Sequence, residues 1–340
     1  MPTSSLIGTQ RLFHGQKLQG AAPWHVDILL SKKDNTLSST SFSLSTIIMK
    51  TSIMKTRREF LAITGTSLFL VDAAMLFGAN ETNIKASWKV GIFDPSIRAR
   101  GCLTAFPVAK KLGYEGVQVS YMLQSPDPLS VKANRPKYLA AAKETGMEIA
   151  SFAMGFLNDS PLATTPEAEG WIEDCLDAMI EMNVDQVLVP FFGRADLTQN
   201  PEHIPLVIEK LKRLAPIAAG KKKFLALETF LSAEDHLKIL DAVASDAVKV
   251  YYDVANSAGK GYDIFQEIEF LGNKKLISQI HFKENGFRLG NGGIDFPKVC
   301  ETLARVGYKG WIVVEGSAPG DMMESQAANS LFVKKLIGRQ

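Results

Sequence analysis

Eight short apolar runs recur between Trp88 and the end of this 340-residue chain, each followed by a longer segment of helical pattern. The runs are five or six residues long, rich in β-branched side chains and mostly apolar, as is typical of parallel strands covered on both faces. They are Lys89–Phe93, Gly116–Ser120, Glu148–Phe152, Gln186–Phe191, Phe224–Thr229, Val248–Asp253, Ile277–Phe282 and Trp311–Glu315. Eight β/α units in about 250 residues predict a single-domain α/β fold, the (β/α)8 TIM barrel.

Glycines and capping residues mark the ends of the helical segments. Gly113 and Gly146 directly follow two of them, where a left-handed residue commonly ends a helix. Thr165 precedes a proline and Ser232 precedes two acids, so both are predicted N-caps. The sixth unit is the weakest, because its helical pattern over Tyr262–Leu271 is short. A doubly wound sheet is the alternative fold, but no GxGxxG motif follows an early strand.

The chain before the first strand does not share this pattern. Residues 1–48 are rich in Ser and Thr without a sustained apolar period, and we expect a disordered or mis-annotated extension. Residues 49–86 contain Lys55-Thr56-Arg57-Arg58 and then an apolar stretch shorter than the ~20 residues of a spanning helix. This segment resembles a twin-arginine signal and its linker. The catalytic domain is predicted at residues 87–340.

The position of the signal is unusual, because about fifty residues precede it. Met49 and Met54 lie just upstream, and our hypothesis is that translation starts at one of them. A native precursor that carries Pro2 to Ile48 would contradict this. Export would place the protein in the periplasm without stable membrane insertion, and a cytoplasmic location is the alternative.

Charge and cysteine content limit the classes of function. The formal net charge is +2, so no strong field favours nucleic acid or an anionic surface as a partner. Cys102, Cys175 and Cys300 are widely spaced, and no CxxC motif occurs. We therefore predict three buried thiols rather than a disulfide framework or a zinc-thiolate site.

Acidic and imidazole side chains end the last four predicted strands. Glu228 and Asp253 lie at the carboxyl ends of the fifth and sixth, and His281 and Glu315 lie at those of the seventh and eighth. The carboxyl ends of barrel strands open onto one face, where chemistry gathers. Four such residues in consecutive units predict one shared divalent metal ion, and their mixed oxygen and nitrogen donors suit Mn, Mg, Co or Zn.

These four residues resemble the metal ligands of the xylose isomerase-like TIM barrel superfamily. The closer similarity is to its sugar-phosphate isomerase/epimerase branch, which includes ketose 3-epimerases, hydroxypyruvate isomerase and inosose dehydratase. His281-Phe282-Lys283-Glu284 and the Gly307–Glu315 segment are similar to motifs of that branch. The resemblance implies a metal-dependent sugar isomerase or epimerase. In such an enzyme Glu228 and Glu315 would move a proton beside a carbonyl through a metal-stabilised enediolate.

The resemblance also indicates residues that would contact a small sugar or sugar-derived substrate. Glu234 has the spacing of a second epimerase glutamate, although a carboxylate at a helix amino end would occupy the same position. Asn256 stands where the epimerases have histidine, Arg288 lies one residue beyond an epimerase arginine, and Lys283 matches the inosose dehydratase pattern. Tyr121 is a candidate for stacking on a sugar ring. The other ring candidates are Phe93, Phe156 and Phe192.

Other functions stay open from the residues alone. A lyase or dehydratase on a keto-sugar, keto-glycoside or cyclitol would use the same proton abstraction and expel a β substituent, and Lys283 and the inferred export favour it. A non-catalytic sugar-binding barrel would be indicated by a lost ligand, and all four are present. An endonuclease of the endonuclease IV type needs more histidines than the five found here. The oligomeric state, including a homo-oligomer, is left open.

Overall fold

The computed structural model describes residues 87–316 and 319–339, which form a closed barrel of eight parallel strands with helices around it. The strands are β1 (Val90–Phe93), β2 (Gly116–Ser120), β3 (Glu148–Ala153), β4 (Gln186–Pro190), β5 (Phe224–Glu228), β6 (Val248–Asp253), β7 (Ile277–Phe282) and β8 (Ile312–Val314). The helices are α1 (Ala105–Lys111), α2 (Arg135–Thr145), α3 (Ala168–Glu181), α4 (His203–Gly220), α5 (Ala233–Val243), α6 (Val254–Gly259), α7 (Ile264–Asn273), α8 (Phe296–Arg305) and α9 (Met322–Leu336). Pairing of β1 with β8 closes the sheet. The predicted (β/α)8 TIM barrel is confirmed.

The predicted strands are all found, with ends that differ by at most one residue. Gly146 has a left-handed φ of 64° at the end of α2, and the hydroxyl of Ser232 accepts the backbone N–H of Asp235 at the start of α5, as predicted. The predicted cap at Thr165 is wrong. Its backbone N–H closes a separate turn by donating to the carbonyl of Pro161, and α3 begins only after that turn. The sixth unit contains two helices, α6 and α7, instead of one short helix.

Alternation along the strands divides their buried side chains into two sets. The outward set joins the helices in one large hydrophobic cluster, whereas a small inner cluster contains Ala153, Leu188, Ala226 and Tyr251. Two of these inner residues are alanines, and they lie beside the larger Leu188 and Tyr251. The next inward positions after Ala226 and Tyr251 are the last residues of β5 and β6, which therefore face the open mouth.

The amino-terminal predictions cannot be compared with the fold. The extension at residues 1–48 and the twin-arginine-like segment at residues 49–86 lie outside the described residues. Within the described part of the chain, no helix is both long enough and apolar enough to cross a membrane.

The cysteine prediction is correct for two thiols and wrong for the third. Cys175 and Cys300 are buried in the hydrophobic core. Cys102 is partly exposed, because it lies in the turn before α1, where its sulfur accepts the hydroxyl of Thr104. Its place in a turn explains why the burial expected of a small hydrophobe does not apply.

Gly116 lies where the side chain of Trp311 crosses the amino end of the barrel. A Cβ at Gly116 would lie 2.5 Å from the indole and 3.0 Å from the backbone oxygen of Glu148. We expect Gly116→Ala to lower the free energy of unfolding by roughly 1–3 kcal/mol, because the strand would be overpacked. Gly170 in α3 is a matched control, since nothing lies within 4 Å of an added Cβ. Gly170→Ala should stabilise by about 0.5–1 kcal/mol, and urea unfolding that shows the same sign for both variants would contradict this.

Candidate metal centre

Four side chains from the last four strands meet at the carboxyl-terminal mouth of the barrel. Glu228 ends β5, Asp253 ends β6, His281 lies in β7, and Glu315 directly follows β8. One oxygen or nitrogen atom from each lies within 4.8 Å of the others. Strand register explains this convergence, because Asp253 pairs with His281 and His281 pairs with Val313, two residues before Glu315. All four predicted ligands therefore occupy one centre.

The imidazole of His281 stands in the middle of the three carboxylates. Its Nδ1 lies 3.0 Å from Glu228 Oε1 and 3.2 Å from Glu315 Oε2. The third carboxylate oxygen, Oδ2 of Asp253, is 3.8 Å from the same nitrogen. A single ring nitrogen and three carboxylate oxygens thus converge, as the donors of one metal ion do.

The orientation of the His281 ring is fixed from several sides. Phe93 and Tyr251 pack against it, with ring centroids 5.8 and 4.4 Å away. The opposite ring nitrogen, Nε2, is 2.7 Å from Oε1 of Gln118 in β2. Gln118 was not predicted as a site residue, although a polar residue in the run Gly-Val-Gln-Val-Ser indicates that an inward side chain needs a partner.

Lys283 enters the same cluster two residues beyond His281. Its Nζ is 3.1 Å from Glu315 Oε2 and 3.7 Å from Asp253 Oδ2. Burial opposes a charged ammonium, but the carboxylates of Glu315, Asp253 and Glu228 raise the pKa of Lys283 above its ordinary value. Lys283 is therefore a fixed cation within the centre, not a solvated surface lysine.

The crowding also shifts the pKa values of the acids and the imidazole. Burial raises the pKa of Asp253 to about 8, with Lys283 opposing the shift. Burial disfavours a charged His281, but Glu315 and Glu228 outweigh it and raise the pKa of the imidazole to about 10. The pKa of Glu315 is below its usual range, because His281 and Lys283 outweigh the effect of burial. In the absence of a metal ion, these shifts favour the protonated forms of Asp253 and His281.

Asp253 shows most clearly that a cation fits this centre. Its Oδ1 accepts the backbone N–H of Asn256 at 2.8 Å and caps α6. Its Oδ2 is buried and has no hydrogen-bond partner among the described residues. A buried polar atom without a partner is unfavourable, and a dication between the four donors would bind this oxygen once the carboxyl is ionised. Carboxylate and imidazole donors suit Mn, Mg, Co or Zn.

A cavity of about 230 Å³ opens beside the centre. Its volume is below the roughly 300–1,000 Å³ of drug-sized pockets, so it suits a small ligand. The lining comes from the ends of β1 to β5 and from β8: Phe93, Arg100, Ser120, Met122, Gly155, Asn158, Asp159, Leu188, Pro190, Phe192, Glu228 and Glu315. Arg100, Asn158 and Asp159 were not predicted, because these loop residues follow early strands without a motif. A larger cavity, about 520 Å³ around Tyr308, includes none of the four clustered residues.

The predicted substrate contacts lie in different places. Lys283 is in the centre itself. Asn256 is buried in α6 behind the cluster, and Glu234 is exposed in the first turn of α5, outside the cavity lining. Arg288 donates to two side chains at the amino end of α9. Among these four, only the side chain of Lys283 bonds to the clustered acids, and substrate contact by the other three stays a prediction.

The aromatic candidates divide between the cavity and the core. The prediction that Tyr121 contacts the substrate is wrong, because its ring is fully buried in the hydrophobic core. Side chains alternate along β2, so the inward position belongs to its neighbour Ser120, which does line the cavity. Phe93 and Phe192 also line the cavity, whereas Phe156 packs against a ring of α3.

Buried side chains hold two loops beside the centre. Glu284, the acid of the His-x-Lys-acid motif, accepts the backbone N–H groups of Gly290 and Ile294 at 2.8 and 3.0 Å. His236 in α5 is buried, with its Nε2 3.0 Å from the hydroxyl of Thr229. Burial lowers the pKa of His236 to about 4, so the neutral ring accepts that hydroxyl. These hydrogen bonds fix the loops after β7 and β5, the strands that carry His281 and Glu228.

A closed (β/α)8 barrel with a carboxylate and imidazole centre at its mouth defines the class of protein. The chain belongs to the xylose isomerase-like TIM barrel family, which it matches over residues 106–335. It is also similar to the rhizopine catabolism protein MocC of Rhizobium meliloti, with 27% identity over 127 residues. That match covers 31% of this chain and 38% of MocC, so it spans less than two fifths of the relative.

Solved structures of sugar epimerases share the fold. The apo structure of 3-keto-D-glucoside 4-epimerase YcjR from E. coli has a TM-score of 0.62 and 19% identity, covering 72% of this chain and 98% of that one. D-psicose 3-epimerase from Clostridium cellulolyticum H10, solved with D-tagatose, has a TM-score of 0.62 and 18% identity. The match covers 74% of this chain and 100% of that one. At these identities the likeness shows the fold alone.

Proposed function

We propose that this protein is a divalent-metal-dependent carbohydrate isomerase or epimerase that moves a proton on a carbon beside a carbonyl. The observation that carries the proposal is the convergence of Glu228, Asp253, His281 and Glu315 within 4.8 Å next to a small open cavity. The activities of proteins with the same fold support it, since they include a 3-keto-D-glucoside 4-epimerase and a D-psicose 3-epimerase.

Glu228 and Glu315 are the groups best placed to exchange the substrate proton. Both line the cavity, and they reach it from β5 and β8, three strands apart around the barrel. One carboxylate would accept the C–H proton, and the other would return a proton to the opposite face or to the neighbouring carbon. A dication held by these two residues, Asp253 and His281 would supply Lewis acidity towards the carbonyl oxygen.

Lys283 gives the site a fixed hydrogen-bond donor. Its ammonium stays charged beside Glu315, 3.1 Å from Oε2. A cation in this position stabilises negative charge that develops on a substrate oxygen. The same cation would assist departure of a β substituent, so a lyase or dehydratase on a keto-sugar, keto-glycoside or cyclitol is the second candidate. Lys283 is the observation that favours it.

Proton NMR in D2O tests both functions with the metal-loaded protein. The substrates are a panel of ketoses, 3-keto-glucosides and keto-cyclitols. We expect deuterium to enter beside the carbonyl while every substituent is retained, because the proton passes through carboxylates that exchange with solvent. Release of a substituent would identify the lyase instead. A panel recovered free of deuterium and unchanged would contradict proton transfer at this site.

We also propose that the protein acts in the periplasm, after export by the twin-arginine-like segment at residues 49–86. The paired Arg57 and Arg58 precede its apolar stretch. Cell fractionation should find the protein in the periplasm, and Arg57→Lys with Arg58→Lys should retain it in the cytoplasm. If the wild type and the variant with both lysines were found in the cytoplasm in equal amounts, export would be contradicted.

A further inference from the structure

Gln118 in β2 lies across the barrel from His281, and both side chains are fully buried. Oε1 of Gln118 is 2.7 Å from Nε2 of His281, whereas the carboxylates surround Nδ1. We propose that Gln118 is a positioning residue that holds hydrogen on Nε2 of His281, so that the lone pair of Nδ1 faces the metal. This inference rests on the metal-binding part of the proposed function.

The tautomer follows from the chemistry of the ring. A neutral imidazole carries one N–H, and its other nitrogen provides the lone pair that binds metal. Because Nδ1 of His281 faces the carboxylates, ligation there requires hydrogen on Nε2. A buried N–H needs an acceptor, and Oε1 of Gln118 lies at normal hydrogen-bond distance. If the amide of Gln118 were reversed, its NH₂ group would face the N–H on Nε2 of His281, and neither could accept a hydrogen bond. Metal binding through Nδ1 therefore needs the amide orientation that the structure shows.

Packing fixes where the ring lies, which leaves Gln118 to select the nitrogen that carries hydrogen. Phe93 and Tyr251 pack against His281, with centroids 5.8 and 4.4 Å away. Phe93 also pairs in register with Gln118 on the adjacent strand. One patch of sheet therefore supplies both an aromatic contact and the acceptor. Hydrogen bonds behind metal-bound histidines commonly have this orienting role.

A neutral amide also balances the charge of the centre. Glu228, Asp253 and Glu315 contribute three negative charges when ionised, and Lys283 with a dication contributes three positive charges. A metal-bound neutral histidine and a neutral Gln118 leave this balance at zero. Nε2 of Gln118 has no hydrogen-bond partner within the described part of the chain, so its side chain is bonded to His281 alone.

Gln279 provides a matched control in the same barrel. It is equally buried, and its Oε1 accepts the hydroxyls of Ser151 and Tyr251 at 2.6 and 2.8 Å. Its Nε2 donates to the backbone oxygen of Ala150. Replacing Gln279 therefore removes a buried amide and its hydrogen bonds without removing the acceptor for His281.

Calorimetric titration with Mn²⁺ tests the role of Gln118. Gln118→Met keeps the side-chain volume but removes the acceptor, and we expect roughly tenfold to hundredfold weaker binding. Gln118→Glu keeps the acceptor, so its affinity should equal or exceed that of the wild type. Gln279→Met should lower the melting temperature while changing Mn²⁺ affinity far less than Gln118→Met does, because the acceptor for His281 remains. If Gln118 only fills space, Gln118→Met should keep the Mn²⁺ affinity of the wild type and Gln118→Glu should lose it. That result would overturn the proposal.

The tautomer can be measured in the wild type, even if Gln118→Met does not fold. Nitrogen NMR of isotope-labelled histidine in the Zn²⁺-loaded protein should show hydrogen on Nε2 of His281 and metal on Nδ1. Hydrogen on Nδ1 in the loaded protein would overturn the role of Gln118 while leaving the metal centre intact. A wild type that binds neither Mn²⁺ nor Zn²⁺ would instead refute the proposed function itself.

Discussion

Replacing Glu228 with glutamine should lower the turnover of the metal-loaded enzyme by roughly a thousandfold or more, because proton transfer by a positioned side chain contributes up to about 10⁴-fold. Glu228 is buried, lines the cavity and lies 3.0 Å from His281 Nδ1. Glutamine keeps the volume and one oxygen donor but cannot take up a proton. Glu315→Gln should have a comparable effect, since Glu315 would carry the second proton. Turnover is measured at saturating Mn²⁺, so that weaker metal binding is separated from lost proton transfer.

The control for this experiment is the same substitution at an exposed position. Glu301 lies on the solvent side of α8, away from the cavity lining. Glu301→Gln should leave turnover within about twofold, as is usual for surface changes. Unchanged turnover of metal-saturated Glu228→Gln would remove Glu228 from the catalytic role.

The stability of the metal-free protein should fall as the pH rises, and bound metal should oppose this fall. The folded state raises the pKa of Asp253 from 3.8 to about 8, so it holds a proton that the unfolded chain has lost. The pKa of His281 is about 10 in the folded protein and 6.5 in the unfolded chain. The stability that this difference provides is fully present below pH 6.5 and is lost as the pH rises to about 10. Both groups make the folded state bind more protons, so their contribution to stability decreases from about pH 4 to about pH 10. His236 opposes them at the acid end, because its pKa, lowered to about 4 by burial, gives a contribution that rises between about pH 4 and about pH 6.5.

The size of this decrease should be on the order of 2–5 kcal/mol between about pH 5 and pH 9, since one pKa unit corresponds to about 1.4 kcal/mol. Denaturant unfolding with a chelator measures it, and a parallel series with excess Mn²⁺ should show a growing advantage of the loaded protein at higher pH, because metal displaces these protons. Asp253→Asn should flatten the metal-free curve. Greater metal-free stability at pH 9 than at pH 5 would contradict the charge state assigned to the centre.

The strands and the four clustered residues could be predicted because each leaves a local signal. Parallel strands buried on both faces are short apolar runs, and a polar residue such as Asp253 or His281 stands out at their ends. The barrel then places these ends side by side. The alternation of side chains was the detail that misplaced Tyr121, since the inward position belongs to Ser120.

Contacts between distant strands could not be predicted in the same way. The partner of Gln118 is His281, 163 residues further along the chain, and nothing local specifies which inward side chain it meets. Arg100 and Asn158 reach the cavity from loops whose course depends on tertiary packing. Glu284 matched a family motif, but its hydrogen bonds to the loop after β7 became visible only in the fold.

Anomalous diffraction from crystals grown with Mn²⁺ tests the shared metal centre most directly. We expect one anomalous peak at the barrel mouth, with donor atoms of Glu228, Asp253, His281 and Glu315 at roughly 2.0–2.3 Å, as for oxygen and imidazole ligands of similar dications. A mouth without a peak, in which these side chains stay bonded to one another at saturating Mn²⁺, would contradict the account.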